Sequence, residues 1–318
     1  KLSDDRYYRS ASDDDPTARM RKFHNRYIKS TLIHMATEGK REPSLLDLCC
    51  GKGGDLYKWK SAGIKRVLGV DVSRDNIYNR SDGACVRYMN MARTMDSVNH
   101  MDVDFLVGDC GELMYELEAF TDDRSREYYR DTYLDIEGNP QRFDVVSTQF
   151  AIHYFFNSAS RIDAFFKNVD AHLEKGGFFI GTVLDGGRVH KRLCADPNET
   201  MIKDVDKHGN LVWSIERKFD CERKFNKDNN PINFKIDIRL PSITGEGDSY
   251  EEWLVNFDYL VKRAGDVGLT LYDDGKIKGS DLFDTLYNKN MRKDSRIVMS
   301  EEECNLSFMY RYFIFKKE

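Results

Sequence analysis

One stretch, Leu45-Leu46-Asp47-Leu48-Cys49-Cys50-Gly51-Lys52-Gly53-Gly54-Asp55-Leu56, constrains the fold of this chain more than any other. It opens as a short apolar run, the signal of a buried parallel strand. It then breaks into glycines and resumes with helix-compatible residues, the strand, turn and helix that begin a nucleotide-binding α/β sheet. The glycines let the backbone pass close to a ligand where a Cβ would clash. About 20 residues on, a second apolar run, Arg66-Val67-Leu68-Gly69-Val70-Asp71, ends in a carboxylate, where such sheets place the acid that holds ribose hydroxyls.

The 318 residues are enough for a substantial core, and 32% charged with 40% hydrophobic residues is ordinary for a globular chain. The longest apolar runs are too short to span a membrane, and residues 1–20 are too polar and acidic for a secretory signal. A first residue of Lys1 is expected of a piece cut from a longer polypeptide. The seven cysteines are scattered, without a Cys-x-x-Cys pair, which points to unpaired thiols in a reducing, intracellular setting and to no metal site. A net charge of −5 argues against broad non-specific binding to nucleic acid, so any such partner should be gripped locally.

Taken in order, residues 1–15 read as an acidic arm and Asp15-Pro16 as a helix start. Met20, Phe23, Tyr27 and Thr31 then form one stripe at helical spacing, and Arg21, Asn25 and Lys29 another. A helix is predicted over 73–95, a third strand over 103–109 that ends in Asp109, and an exposed, turn-rich excursion over 121–142. A fourth strand follows at 143–150, a helix at 158–173 and a fifth strand at 178–183. Such alternation predicts a doubly wound sheet. Residues 185–250 break the rhythm with alternating segments at 211–215 and 234–238, read as an insertion over the carboxyl edge of the sheet. The helical period resumes at Glu252, and strands at 270–272 and 307–315 would complete the sheet.

Gly51 and Gly53, Asp71 and Asp109 therefore stand at three successive strand ends, which suits an adenosine ligand. A phosphate loop would need Gly-Lys-Ser/Thr, but Lys52 precedes Gly53-Gly54-Asp55. The nicotinamide pattern Gly-x-Gly-x-x-Gly is absent too. An acid inside the strand followed by glycines is the pattern of S-adenosylmethionine methyltransferases, and the negative turn suits a sulfonium cation.

At this level of detail the chain resembles the mRNA cap (guanine-N7) methyltransferases, and among them the methyltransferase domains of capping enzymes from large cytoplasmic DNA viruses. The resemblance covers nearly the whole chain and rests on the stretches at 20–29, 51–59 and 149–154, with the viral flavour at 69–77 and 83–88. It implies a Rossmann-like methyltransferase fold in a single domain over 1–318, with a seven-stranded sheet and an antiparallel last strand. An N-terminal arm and helix would occupy 1–35, and a β-rich insertion 185–250 would lie on the cap side. Lys29 would meet the cofactor's carboxylate, with Asp47, Gly51, Gly53, Asp71, Asp109, Gln149 and Tyr154 around the cofactor. Asn25, Arg21, Lys52, Phe150, His153, Glu252 and Tyr310 would face the capped RNA, with His153, Tyr154 and Glu252 positioning the reactants. Two departures stand out: Cys49 replaces the family's first glycine, and Leu184 a proline near the cap.

Guanine N7 carries a lone pair and no proton, so its methylation needs positioning rather than a general base. A ribose 2′-hydroxyl acceptor is the competing chemistry, and it calls for a lysine-centred constellation that the sequence does not display. A non-catalytic subunit of a capping complex is the competing class, but such a chain should have lost Gly51, Gly53, Asp71 and Asp109. The resemblance further implies triphosphatase and guanylyltransferase domains in the same polypeptide, a stimulatory subunit, and no metal or membrane. It places the protein in the cytoplasm (a virus factory or virion) if viral and in the nucleus if cellular.

Overall fold

The computed structural model describes residues 15–94, 100–229, 231–244, 248–291 and 298–318. Of the expected acidic arm only Asp15 falls among them; residues 1–14 lie outside the described residues. The strands are β1 Ser44–Leu48, β2 Arg66–Asp71, β3 Asp102–Val107, β4 Phe143–Gln149, β5 Leu173–Leu184, β6 Met201–Val205, β7 Leu211–Arg217, β8 Lys235–Arg239, β9 Tyr250–Trp253, β10 Leu269–Leu271, β11 Ser280–Leu282 and β12 Tyr310–Lys317. Seven of them run in the order β10-β12-β5-β4-β1-β2-β3, and a short eighth, β11, pairs with β12. Strands β1 to β5 are parallel neighbours, whereas β12 runs antiparallel to β5.

This order places the crevice. The chain builds outward from β1 through β2 to β3, then returns to the other side of β1 for β4 and β5. Between β1 and β4 the crossovers diverge, which opens a cleft at the carboxyl ends where ligands of such sheets bind. The first strand is buried along its whole length, as a parallel strand covered on both faces must be. One core, including Phe23, Ile33, Trp59 and Trp213, covers one face; another, including Phe120, Phe143, Phe165 and Phe179, covers the other.

The N-terminal helix departs from the predicted stripe for a definite reason. It runs as α-helix over Ala18–Phe23, as a π-helical turn over His24–Lys29, and as α-helix again over Ser30–Thr37. The Ser30 N–H bonds to the Asn25 carbonyl five residues back, so one extra residue is accommodated and every later side chain is rotated. Met20 and Phe23 are buried as expected, but His24, Ile28, Leu32 and Ile33 continue the inward face, while Thr31 is exposed.

Two other segments correct the predicted pattern. The helix expected over 73–95 is two, Arg74–Tyr78 and Ala84–Ala92. The Asn79 carboxamide oxygen accepts from the Ser81 N–H and hydroxyl, so its side chain competes with the helix and turns the chain. The excursion at 121–142 contains a helix, Asp123–Tyr133, capped by Asp122 on the Ser125 N–H. Its charged face is solvated, whereas Tyr129 and Tyr133 are buried with their hydroxyls bonded to His172 and Asp104.

The insertion is a second, four-stranded antiparallel sheet, β6-β7-β8-β9. It reaches Trp253, so Glu252 lies on the edge strand β9, not at a helix start as its acidic neighbourhood suggested; the helix begins at Phe257. The cysteines are not all unpaired: Cys194 and Cys221 form a disulfide between elements 27 residues apart. Cysteine usage therefore no longer argues for a reducing compartment. Among the described residues no helix is long and apolar enough to cross a membrane.

The helix Glu301–Ser307 ties the N-terminal helix down. Ser300 and Glu303 form a capping box. The buried Glu303 carboxylate accepts the Ser300 N–H at 2.9 Å and, with its other oxygen, the Met20 N–H at 2.8 Å. Glu303→Ala should leave two donors unsatisfied and cost about 2–3 kcal/mol of stability. Urea unfolding should show this as a lower midpoint at unchanged slope.

Candidate active site

The turn after β1 is strained where a glycine is missing. Cys49, Gly51 and Gly53 have φ of 69°, 55° and 67°. In the left-handed region Cys49 carries a penalty of about 1–2 kcal/mol that glycine would avoid. The Cys49 and Cys50 N–H groups both donate to the Val70 carbonyl, and a Cβ on Gly53 would approach Leu56 and Phe105 to 3.1–3.4 Å. A hydrogen bond with Cys110, and then burial, hold the Cys49 thiol well above its usual range.

A buried charge cluster underlies the turn. Asp55, absent from the sequence-based set, receives Lys29 Nζ at 2.8 Å and Lys58 Nζ at 2.7 Å. Burial works against its charge, but the two ammonium groups outweigh it and hold its pKa below the usual carboxylate range. For Asp47 the nearby Lys29 charge and Ser147 are outweighed. Burial and then the nearby Asp55 charge push it well above that range, and among the described residues its buried Oδ1 has no hydrogen-bond partner.

The other strand ends converge on the same edge. Asp71, at the end of β2, accepts the Gly51 N–H at 2.8 Å on one oxygen and the Ser73 N–H and Asn76 amide, each at 3.0 Å, on the other. Asp109, just past β3, is gripped by both terminal nitrogens of Arg161 at 2.7 and 3.0 Å, a partner that lies 52 residues away. Gln149, at the end of β4, donates to the Ser147 hydroxyl and accepts from Thr182.

Beyond Gln149 the chain turns through Phe150, itself at φ 56°, with its N–H held by the carbonyl and hydroxyl of Thr182. A 3-10 turn, Ile152–Phe155, then presents His153 and Tyr154, whose ring centroids are 4.1 Å apart. Glu252 reaches this turn from β9, where it pairs with Ile236, and its Oε2 lies 3.6 Å from His153 Nε2. Burial pushes Glu252 up to about 8 and His153 down to about 3, so both are neutral at pH 7. Tyr310, at the start of β12, has a hydroxyl shifted strongly upward by burial and then by Glu252. Its ring meets Phe150 at 5.3 Å and His24 at 5.7 Å.

The expected cationic residues are already engaged. Lys52 Nζ holds Asp82 at 2.8 Å and Asp75 at 3.6 Å, and Arg21 pairs with Asp15. Asn25 is exposed and donates its amide to the Arg21 carbonyl. The π-helical turn is why Arg21, Asn25 and Lys29 do not share one solvent face. Leu184, at the proline position, is buried opposite Tyr310 in the β5–β12 pair. The sequence-based set lacks Asp55, Arg161, Thr182 and His24, although Asp55 and His24 sit inside stretches already singled out, 51–59 and 20–29.

The chain's similarities extend over the whole of this architecture. A model of the mRNA (guanine-N(7))-methyltransferase domain matches residues 4–318. The mRNA cap guanine-N(7) methyltransferase of Drosophila melanogaster is 33% identical over 264 residues, which cover 79% of this chain and 53% of that protein. That of Caenorhabditis elegans is 29% identical, covering 92% and 79%. A protein of Acanthamoeba polyphaga mimivirus named "Probable mRNA-capping enzyme" is 26% identical, covering 85% of this chain and 22% of its own length. The chain thus spans about half of the fly relative and about a fifth of the viral one. In fold, it is similar to the CcbJ methyltransferase of Streptomyces caelestis, at a TM-score of 0.50 and 16% identity over 91% of this chain and 94% of that one. Matched by the family's model over nearly its whole length, the chain belongs to the mRNA (guanine-N7)-methyltransferase family.

Proposed function

We propose that this chain transfers the methyl group of S-adenosylmethionine to N7 of the guanine cap of mRNA, converting GpppN to m7GpppN. The observation that carries the reading is the meeting of two sheets. Strand β9 of the insertion brings Glu252 within 3.6 Å of His153, in the turn that follows β4, and β4 is the neighbour of β1 in the parallel sheet.

The residues of that turn fit the cofactor. The three left-handed residues open the backbone to a close ligand, and the buried, unpartnered Asp47 Oδ1 awaits a donor. Asp71 would hold the ribose, Asp109 with Arg161 would wall the adenine, and Gln149 and Tyr154 would flank the chain between them. Lys29 would exchange part of its pairing with Asp55 for the amino-acid carboxylate. When bound, S-adenosylmethionine supplies an electrophilic methyl on a sulfonium centre.

The acceptor half orients rather than deprotonates. The Glu252 carboxylate would accept from the N1–H and N2–H edge of guanine, which fixes N7 towards the methyl. As the purine becomes cationic, the negative charge of Glu252 and the ring faces of Phe150 and Tyr154 would favour it. His153 and Tyr310 complete the wall, with Asn25 at the rim. Arg21 and Lys52 would trade Asp15 and Asp82 for the cap triphosphate. Alignment of N7, methyl carbon and sulfur is the main catalytic device, and such positioning supplies roughly 7–11 kcal/mol. The activity belongs inside the cell where transcripts are capped, beside triphosphatase and guanylyltransferase activities.

Incubation of the chain with GpppG-capped RNA and methyl-labelled cofactor, followed by nuclease digestion, should release labelled m7GpppG. Label on ribose, or none even with a second protein added, overturns the reading. Label that appears only after addition of a second protein shows that a stimulatory subunit is required.

A further inference from the structure

His24 has no role in the proposed reaction, yet it touches two rings of the acceptor wall, Phe150 and Tyr310. It is buried in the π-helical turn, with its Nε2 at 2.8 Å from the Ser307 hydroxyl. Its imidazole stacks on Phe150 at 5.4 Å and 23°, and meets Tyr310 at 5.7 Å and Phe283 at 5.0 Å edge-on. Residues five apart diverge by about 140° around an α-helix, and the i→i+5 bonding of the π-turn narrows that angle, which brings His24 and Lys29 towards one side. Both therefore reach the same ring, since Lys29 Nζ lies 5.9 Å from the Phe150 centroid. That ring is mounted on a left-handed backbone, a strain kept where a site needs a fixed geometry. Burial, and then the Lys29 charge, lower the His24 pKa to about 3, so the imidazole stays neutral and stacks as an aromatic ring.

We propose that His24 is a positioning residue for the acceptor base: wedged between Phe150 and Ser307, it sets the tilt of the Phe150 and Tyr310 rings and so the plane in which guanine is held. The proposal rests on the assignment of those two rings to the cap. It also gives the π-helical turn a purpose, because a regular α-helix would not align His24 and Lys29 on one ring.

The test is steady-state methylation of GpppG-capped RNA by the purified chain, with S-adenosylhomocysteine affinity measured by calorimetry. His24→Ala should raise KM for capped RNA about tenfold and change the S-adenosylhomocysteine Kd less than twofold. His24→Phe keeps the stack and loses the Ser307 hydrogen bond; it should return KM to within about threefold of wild type. His24→Asn keeps a hydrogen-bonding group and loses the stack, and should retain the high KM even where its melting temperature matches wild type; it also serves if the alanine variant does not fold. A merely structural role would make cap KM and S-adenosylhomocysteine Kd rise together, in the order of the melting temperatures. That pattern, or an unchanged cap KM in a folded variant lacking the stack, overturns the proposal. A wild-type chain that makes no m7GpppG with or without an added second protein overturns the functional reading and this proposal with it, whereas normal wild-type methylation with an indifferent His24 overturns this proposal alone.

Discussion

Glu252→Ala should lower methyl transfer to capped RNA by about 10²–10³-fold while the S-adenosylhomocysteine Kd stays within about threefold of wild type. Two hydrogen bonds from the guanine edge to one carboxylate are charge-assisted, each about 1.5–3 kcal/mol, and each 1.4 kcal/mol is a factor of ten. Glu252 stands on β9 of the four-stranded sheet, whereas the glycine turn and Asp71 follow β1 and end β2 of the other one. Glu252→Gln retains the shape but turns an NH₂ towards guanine donors, so it should recover little. Matched losses of cofactor affinity and of melting temperature would instead assign Glu252 to the structure.

The same residue sets a pH dependence with a definite sign. With its pKa raised to about 8, free Glu252 is protonated at pH 7, whereas donors on guanine favour the ionised form. Cap binding should then release a proton. KM for capped RNA should fall about tenfold per pH unit between about 6 and 8 and level off above, and Glu252→Gln should flatten the profile. His153, at about 3, does not titrate in this window. Stability of the free chain follows the opposite course. Between the ordinary glutamate value and about 8 the folded state binds a proton that the unfolded state has lost, so stability falls as pH rises through that interval and is flat above it.

The parts legible in the sequence are those that depend on one local rule. The β1 turn, the acids Asp71 and Asp109, and the parallel strands all announce themselves by short-range pattern, and the structure puts them at one edge. What escaped was set by partners far along the chain. Arg161 is drawn to Asp109 from a helix whose own pattern shows only an exposed basic residue. Glu252 looked like a helix-start acid because β9 is four residues long, too short for alternation to register. The helix Asp123–Tyr133 is so charged that only its two buried tyrosines reveal an inner face. Family resemblance singled out Asn25 and Lys29 beside a helical spacing that put them on one face, but the π-helical turn between them left no mark in the periodicity. That turn separates the exposed Asn25 from Lys29 and carries His24 inward.

Asp71 offers the complementary experiment, because its loss should strike the cofactor and spare the acceptor chemistry. Its two oxygens take the Gly51 N–H, the Ser73 N–H and the Asn76 amide, so the carboxylate shapes the turn it would share with the ribose. Asp71→Ala would remove the proposed ribose acceptor and leave these donors to find other partners, at about 1–3 kcal/mol for each that stays buried and unsatisfied. Calorimetry should show S-adenosylhomocysteine Kd raised by about 10² or more, with a clear fall in melting temperature. Asp71→Asn keeps one carbonyl oxygen but faces either Gly51 or Ser73 with an NH₂, so its Kd should rise by about tenfold at a smaller stability cost. At saturating cofactor the Asn variant should methylate at near the wild-type rate, because nothing that orients guanine N7 has changed. Cofactor affinity within threefold of wild type in the Ala variant would break the link between the β1 turn and the ribose, and the cradle would have to be rebuilt around Lys29 and Asp109. A fall in rate at saturation without a change in Kd would instead place Asp71 on the acceptor side, which the distance along the sheet edge from β2 to the His153 turn beyond β4 argues against.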